Sequence, residues 1–292
     1  MATVQITTWD EFKTALNEVI TESTTYEIMN DIDGSHDILE SRLPAHTGAS
    51  NTIHKYFNGN GYKINGITSY ITVTLNNSTS LIGIIGGSYM GTTDTYGHIY
   101  FDNVNFTNIQ TPNVFLFSAH LYFTNCSFNG VILALAGSRT SGSTPSINYP
   151  NTGAMFQKCS FNLKCINSLF WSYYSSYIPS NFSFINCYII ADEGTTAFSY
   201  TLQDSYYETT KNISGFFTVK QNYLKNSVVN AYMSNISSSA ITMSSYSSDY
   251  NLINSDRIDG DFTASGGCYS LTDSQLKSKT YIQENTNFPL YG

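Results

Sequence analysis

The chain has 292 residues, a formal net charge of −8 and only 12% charged residues, while Tyr and Phe number 23 and 18 among abundant Ser, Thr, Asn and Gly. That composition excludes long amphipathic helices with Glu/Lys faces and points to β structure. No run of Lys or Arg interrupts the acidic average, which argues against a phosphate-binding surface and against nucleic acid as a partner.

The opening stretch, MATVQITTWDEF, has no basic region and no apolar run of signal-peptide length. No later segment is apolar over the ~18 residues that a membrane span needs, so neither signal peptide nor membrane insertion is expected. Thr8 and Glu11 fit a capping box, and Phe12, Leu16, Val19 and Ile20 follow at helical spacing. An amphipathic helix over residues 9–20 is predicted, placed to cover the first strands and keep their open edges from recruiting other chains. Next comes DIDGSHD, where Asp31, Asp33, Ser35 and Asp37 alternate like the start of a calcium loop. The twelfth position is Arg42, where an EF-hand needs Glu, so a turn competes with a calcium site at Asp31, Asp33 and Asp37.

The phrase YFDNVNFTN at residues 100–108 recurs as YFTNCSFNG at residues 122–130. With the Cys of FTNCSF as register mark, equivalents are Val104, Cys126, Cys159, Cys187, Gln221 and Ser255, which reads as a unit of about 22 residues carrying insertions. Apolar residues flank an Asn in each copy, as in Phe123, Asn125, Cys126 and Phe128, and the inward set changes phase across that Asn. Asn tolerates left-handed backbone, so it marks a bend repeated at the ~4.8 Å strand spacing. Phe101, Phe123, Phe156 and Phe184 should then form one interior stack, with Val104, Cys126, Cys159 and Cys187 beside it. The five cysteines, with Cys165 and Cys268, are an odd number without C-x-x-C spacing and read as free buried thiols. His98 and His120 each precede a repeated Tyr by two residues and read as a ladder of neutral imidazoles; His36, His46 and His54 are scattered.

Three Tyr- and Ser-dense stretches read as insertions: FWSYYSSYIPS (170–180), FSYTLQDSYY (198–207) and MSSYSSDY (243–250). Tyr offers a flat apolar face and a polar tip, suited to sugar rings or a protein surface. Trp171, Tyr173, Tyr174, Tyr177, Tyr200, Tyr206, Tyr207 and Tyr246 are therefore the expected contacts to a ligand or a sister subunit. Further on, NSDRIDGDF gathers Asp256, Asp259 and Asp261 around Arg257, and paired carboxylates are what glycoside hydrolysis would use, although solvated turns use them too. Thr272 and Gln275 fit a second capping box, after which Tyr281, Phe288 and Tyr291 could fold back over the last strands.

FNGNGYKINGI (57–67) followed by the F-x-N-C-x-F copies resembles the pectate-lyase-like right-handed parallel β-helix superfamily over roughly residues 55–260. The resemblance implies an all-β, single-stranded right-handed solenoid, with an N-terminal cap over 1–54, the β-helix over 55–260 and a C-terminal cap over 261–292. The two ends, ITTWDEFKTAL with YEIMNDID at the start and LTDSQLKSKTYIQ near the finish, resemble β-helical proteins of tailed bacteriophages and gut-bacterial surfaces. They imply a virion structural protein such as a head fibre, decoration protein or tail-spike-like appendage that contacts host surface polysaccharide. Such a protein would be a homo-oligomer, a trimer, bound to other virion proteins and needing no cofactor. The superfamily's polygalacturonase motifs (NTD, DD, GHG, RIK) find no match here, so the non-enzymatic reading leads. A polysaccharide lyase or glycoside hydrolase is the alternative, and a bacterial surface adhesin the second.

Overall fold

A computed structural model describes residues 1–39, 52–66, 68–69, 98–108, 121–137, 154–170, 182–195, 200–212, 223–230, 233–234, 242–243, 251–259 and 268–288. Two parallel ten-stranded sheets dominate, and in each the spatial order of strands is their order along the chain. The first sheet runs Ala2–Ile6, Thr24–Ile28, Lys55–Asn58, Ile99–Asp102, Leu121–Thr124, Ala154–Gln157, Phe182–Ile185, Tyr200–Gln203, Tyr223–Lys225 and Thr242–Met243. The second runs Ile32–Asp33, Lys63–Asn65, Asn105–Thr107, Ser127–Gly137, Ser160–Phe170, Tyr188–Thr195, Tyr206–Asn212, Val228–Asn230, Asn251–Asn254 and Cys268–Leu271. Both sheets thus begin inside the segment assigned to the first cap, and the second ends inside the segment assigned to the last.

The core lies between the sheets. On the first, Tyr26, Phe57, Phe101, Phe123, Phe156 and Phe184 stand in register with ring centroids 4.8 to 5.0 Å apart. On the second, Phe106, Phe128 and Phe161 stack at 5.1 and 4.7 Å, and their edges meet the first column, as in Phe128 against Phe156 at 81°. Offset stacks along each sheet and edge-to-face contacts between sheets are the two arrangements that the ring quadrupole favours. Every one of these rings is buried.

The bends between the sheets are where the predicted Asn acts. Asn103, Asn125 and Asn186 have φ of 54°, 53° and 53°, and Lys158 and Asp204 occupy the same place at 53° and 49°. Their N–H groups donate to the next strand, from Asn125 to the Gln157 carbonyl at 3.0 Å for example, so pairing continues through the bend. Successive bends press together tightly. A Cβ on Gly59 would come within 2.2 Å of the Asn103 carbonyl oxygen, so only glycine fits there.

The interior bend column is Val104, Cys126, Cys159 and Cys187, as expected, and it continues through Ser205, Ser227 and Asn251. Ser255, expected in it, stands instead in a 3-10 turn, and Gln221 lies outside the described residues. Residues 200–207, expected as an insertion, are instead a full copy: Tyr200 pairs with Phe182, Asp204 bends and Tyr206 pairs with Tyr188. Asp replaces Asn, Ser replaces Cys and Leu202 replaces Phe, which hides the copy from a search on residue identity. The thiols donate to carbonyls, Cys159 Sγ to Phe123 O at 3.4 Å, and Ser205 Oγ does the same to Gln203 O at 2.7 Å. Contact with the Cys126 thiol pushes the Cys159 thiol up to about 12, so it stays protonated at neutral pH. Cys126, Cys159, Cys187 and Cys268 are free and buried.

The first helix, α1 (Trp9–Asn17), has the expected reciprocal Thr8/Glu11 capping box and buries Trp9, Phe12, Ala15 and Leu16. It stops before residue 20, and Val19, expected on the buried face, is 69% exposed because the chain turns extended at Glu18. At the far end, α2 (Asp273–Leu276) starts on the predicted Thr272/Gln275 box and α3 (Lys279–Asn285) follows it. Ile282 and Phe288 close over Leu252 and Leu271.

Candidate functional site

The YF doublet of the repeat has a simple meaning on a strand: Phe points into the core and Tyr, one residue earlier, points out. Tyr56, Tyr100 and Tyr122 are in register on the outer face of the first sheet, with ring centroids 4.9 and 4.8 Å apart and planes within 18°. A second row runs beside them. His54 and His98 lie 5.0 Å apart, and His98 reaches Tyr122 at 5.3 Å. The His98 main-chain N–H donates to His54 Nδ1 at 3.0 Å, and His98 Nδ1 lies 3.0 Å from the Tyr100 hydroxyl. Burial pushes the His54 imidazole below its ordinary range, and an Nδ1 that accepts a main-chain proton must be unprotonated; both hold this ring neutral. Burial likewise pushes the Tyr100 phenol up, so it remains a hydroxyl.

All five side chains are half-buried. Ring faces are spent on neighbouring rings, so what the row offers a ligand is ring edges, phenol oxygens and imidazole nitrogens repeated at the strand spacing. The expected ladder paired His98 with His120, which lies outside the described residues; the imidazole found beside His98 is His54, which reads as scattered in the sequence. Tyr56, Tyr100 and Tyr122 were not singled out as a site, although their place in the repeated doublet was the available signal.

Of the expected aromatic contacts, Trp171, Tyr173, Tyr174, Tyr177 and Tyr246 lie outside the described residues. Tyr200 belongs to a first-sheet strand. Tyr207 is only 3% exposed, in the interior column between Ile189 and Val229, and is not available as a contact. Tyr206 is half-buried and stacks on the exposed Tyr188 at 5.1 Å; its hydroxyl donates to Glu208 Oε2 at 2.5 Å, and burial pushes it up to about 12.

The carboxylates proposed for calcium are committed to separate structural contacts. Asp31 Oδ1 accepts the Lys63 N–H at 2.9 Å, and Asp33 Oδ1 accepts from Ser35 N–H and Asn65 Nδ2 at 3.0 and 3.2 Å. Asp37 Oδ2 takes the Trp9 indole proton at 2.8 Å and pairs with Lys13, which holds its carboxyl below the usual range. These contacts tie the turn to α1. Among the described residues, no group of three or more His, Cys, Asp or Glu side chains is placed to hold a metal ion.

Of the C-terminal acids, Asp256 is likewise engaged. Asp256 Oδ2 accepts the Asp273 N–H at 2.7 Å, at the start of α2. Arg257 donates to the carbonyls of Thr209 and Asn230, both at 2.8 Å, and stands 3.8 and 3.9 Å from Glu208 and Asp273. Asp259 sits in a short strand paired with Met233–Ser234, and Asp261 lies outside the described residues. Arg257 and Asp256 thus join the helices that follow the last strand to the second sheet.

One further group escaped the sequence reading. Lys55 is 0% exposed, in the inward column above Ile99 and Leu121, and its Nζ donates to the carbonyls of Ala15, Leu16 and Glu18 at 2.6, 3.0 and 2.7 Å. The ammonium satisfies the orphan carbonyls at the C-terminal end of α1, where the helix dipole favours a cation. Burial still pushes its pKa down to about 8. A lone Lys before YFN carries no sequence mark of this role.

Comparisons with protein-family models, with curated proteins and with solved structures found no match. No helix among the described residues is long and apolar enough to cross a membrane.

Proposed function

We propose that the two sheets belong to a single right-handed parallel β-helix of the pectate-lyase-like kind, and that the chain is a non-enzymatic structural appendage of a tailed-phage virion that contacts host surface glycans. The observation that carries the binding reading is the Tyr56/Tyr100/Tyr122 row with His54 and His98 on the outer face of the first sheet. A row of hydroxyls and ring edges repeated at one spacing matches a polymer with a repeating unit better than a single small molecule. Phenol and imidazole groups are suited to sugar hydroxyls, as donors and as acceptors. The commitment of Asp256 and Arg257 to main-chain partners supports a binding role over hydrolysis or elimination.

Mass spectrometry of purified virions tests the class, since the chain is expected among structural proteins. Binding is tested with immobilised host polysaccharide: replacing Tyr56, Tyr100 and Tyr122 together by Ser is expected to abolish retention while circular dichroism stays β-rich. Retention unchanged by that triple variant would remove the outer face from consideration. Release of unsaturated oligosaccharides by the wild-type chain would favour the lyase instead.

A further inference from the structure

The two ends of the sheets are finished differently. At the C-terminal end, α2 and α3 lay Ile282 and Phe288 over the last strands. At the other end, α1 covers part of the core, but the first sheet extends past it by one strand, Ala2–Ile6, whose one partner among the described residues is Thr24–Ile28. Val4 stands in register above Tyr26 and the Phe column, yet it is 43% exposed whereas Tyr26 is 0% exposed. Met1, Val19 and Met29, at 73%, 69% and 41%, are exposed in the same 29 residues.

The direction of the backbone groups on this strand follows from one bond. The Ile6 carbonyl accepts the Met29 N–H at 2.9 Å, so Ile6 faces its paired neighbour. By strand alternation Val4 and Ala2 do the same, and Thr3 and Gln5 turn their N–H and C=O to the open side. Thr3, Val4 and Gln5 are exposed and uncharged, with no proline and no bulge, the devices that ordinarily blunt an edge. Charge then selects the occupant. Residues 1–31 hold six carboxylates (Asp10, Glu11, Glu18, Glu22, Glu27 and Asp31) against one lysine, so five of the chain's eight net negative charges lie at this end. A second copy would bring like charge to like.

We infer that the open edge of Ala2–Ile6 is a strand-addition site for an extended segment of another protein, uncharged and alternating apolar and polar at its centre and carrying basic residues at its ends. Main-chain hydrogen bonds to Thr3 and Gln5 supply register, Val4 gives the incoming apolar side chain a surface, and the net negative charge of residues 1–31 attracts the basic flanks.

The test uses the full chain and two synthetic peptides with the centre Val-Thr-Val-Thr-Val, one ending in Lys at both termini and the other in Glu. The Lys-ended peptide is expected to shift backbone amides within residues 2–6 and 24–28, to bind about tenfold more tightly than the Glu-ended one, and to weaken as salt rises. Gln5→Pro removes an outward donor without touching the inward pairing, and Thr3→Pro repeats the change at the other outward residue. Each should abolish these shifts with an unchanged circular dichroism spectrum. The inference is overturned by equal affinity for the two peptides, by shifts confined to the outer Tyr face, by no binding, or by a concentration-dependent dimer that perturbs the same amides without peptide. The comparison of the two peptides holds even if a proline variant fails to fold.

Discussion

The interior bend column has a sulfur half and an oxygen half. In the first, Cys126, Cys159 and Cys187 follow Val104; in the second, Ser205, Ser227 and Asn251 continue the same line. Both halves solve one problem, a buried bend whose carbonyls need donors. Cys187 Sγ donates to Phe156 O and Ile185 O at 3.4 Å, and Ser227 Oγ to Leu202 O and Lys225 O at 3.0 and 2.8 Å. The oxygens also accept: Ser205 Oγ takes the Cys187 N–H at 2.9 Å, and Asn251 Oδ1 takes the Ser227 N–H at 3.0 Å. The sulfur half relies on bulk and weak donation beside Phe rings, while the oxygen half relies on hydrogen bonds beside Leu202. Packing and polarity thus trade off along one column at constant backbone geometry.

The heaviest blow to the sulfur half is Phe123→Ala. It removes a ring stacked on both sides and should cost about 3–5 kcal/mol by urea denaturation, whereas a loss below about 1 kcal/mol would contradict the register.

A charged donor extends the comparison. Burial holds the folded Lys55 at about 8 against its ordinary 10.5, so between those values the unfolded chain binds more protons and stability rises with pH. The gain is at most about 3 kcal/mol, because the three carbonyls favour the ammonium, and below pH 8 this group contributes no slope. Denaturation of wild type and Lys55→Met from pH 7 to 11 isolates it; equal slopes for the two would rule it out.

Ser205→Ala attacks the oxygen half, leaving the buried Cys187 N–H without its acceptor. A loss of about 1–3 kcal/mol is expected, and Ser205→Cys should recover part of it. The smallest effect should come from Cys159→Ser, which places an oxygen in the sulfur half. A change within about 1 kcal/mol is expected, since Ser205 and Ser227 already make these bonds in the same column, and a larger one would mean that the halves are not interchangeable.

The same division explains what was legible in the sequence. Copies on the sulfur side carry Phe, Asn and Cys at fixed offsets, so their columns and bends follow from residue identity. From residue 200 onward the offsets persist but the residues change: Asp204 for Asn, Ser205 for Cys, Leu202 for Phe. A search for letters therefore misplaced the register and took a copy for an insertion. Lys158 bends like Asn because the neighbouring strands on both sides fix the chain there. Both capping boxes were readable because each is local, within four residues. The site residues were not, because Tyr56, Tyr100 and Tyr122 come together only through pairing of strands that lie 44 and 22 positions apart.

Sheet order that copies chain order also has a mechanical consequence. Tension applied between the two ends of the chain runs along the direction in which the strands hydrogen-bond to one another, so the load reaches the strand pairs in series. Each pair can peel while its neighbours stay intact, and extension under force should proceed as a train of small yields rather than one rupture. A pull across the strands, parallel to their length, would load every rung of a pair at once in shear. The molecule is thus compliant along its stacking axis and stiff across it.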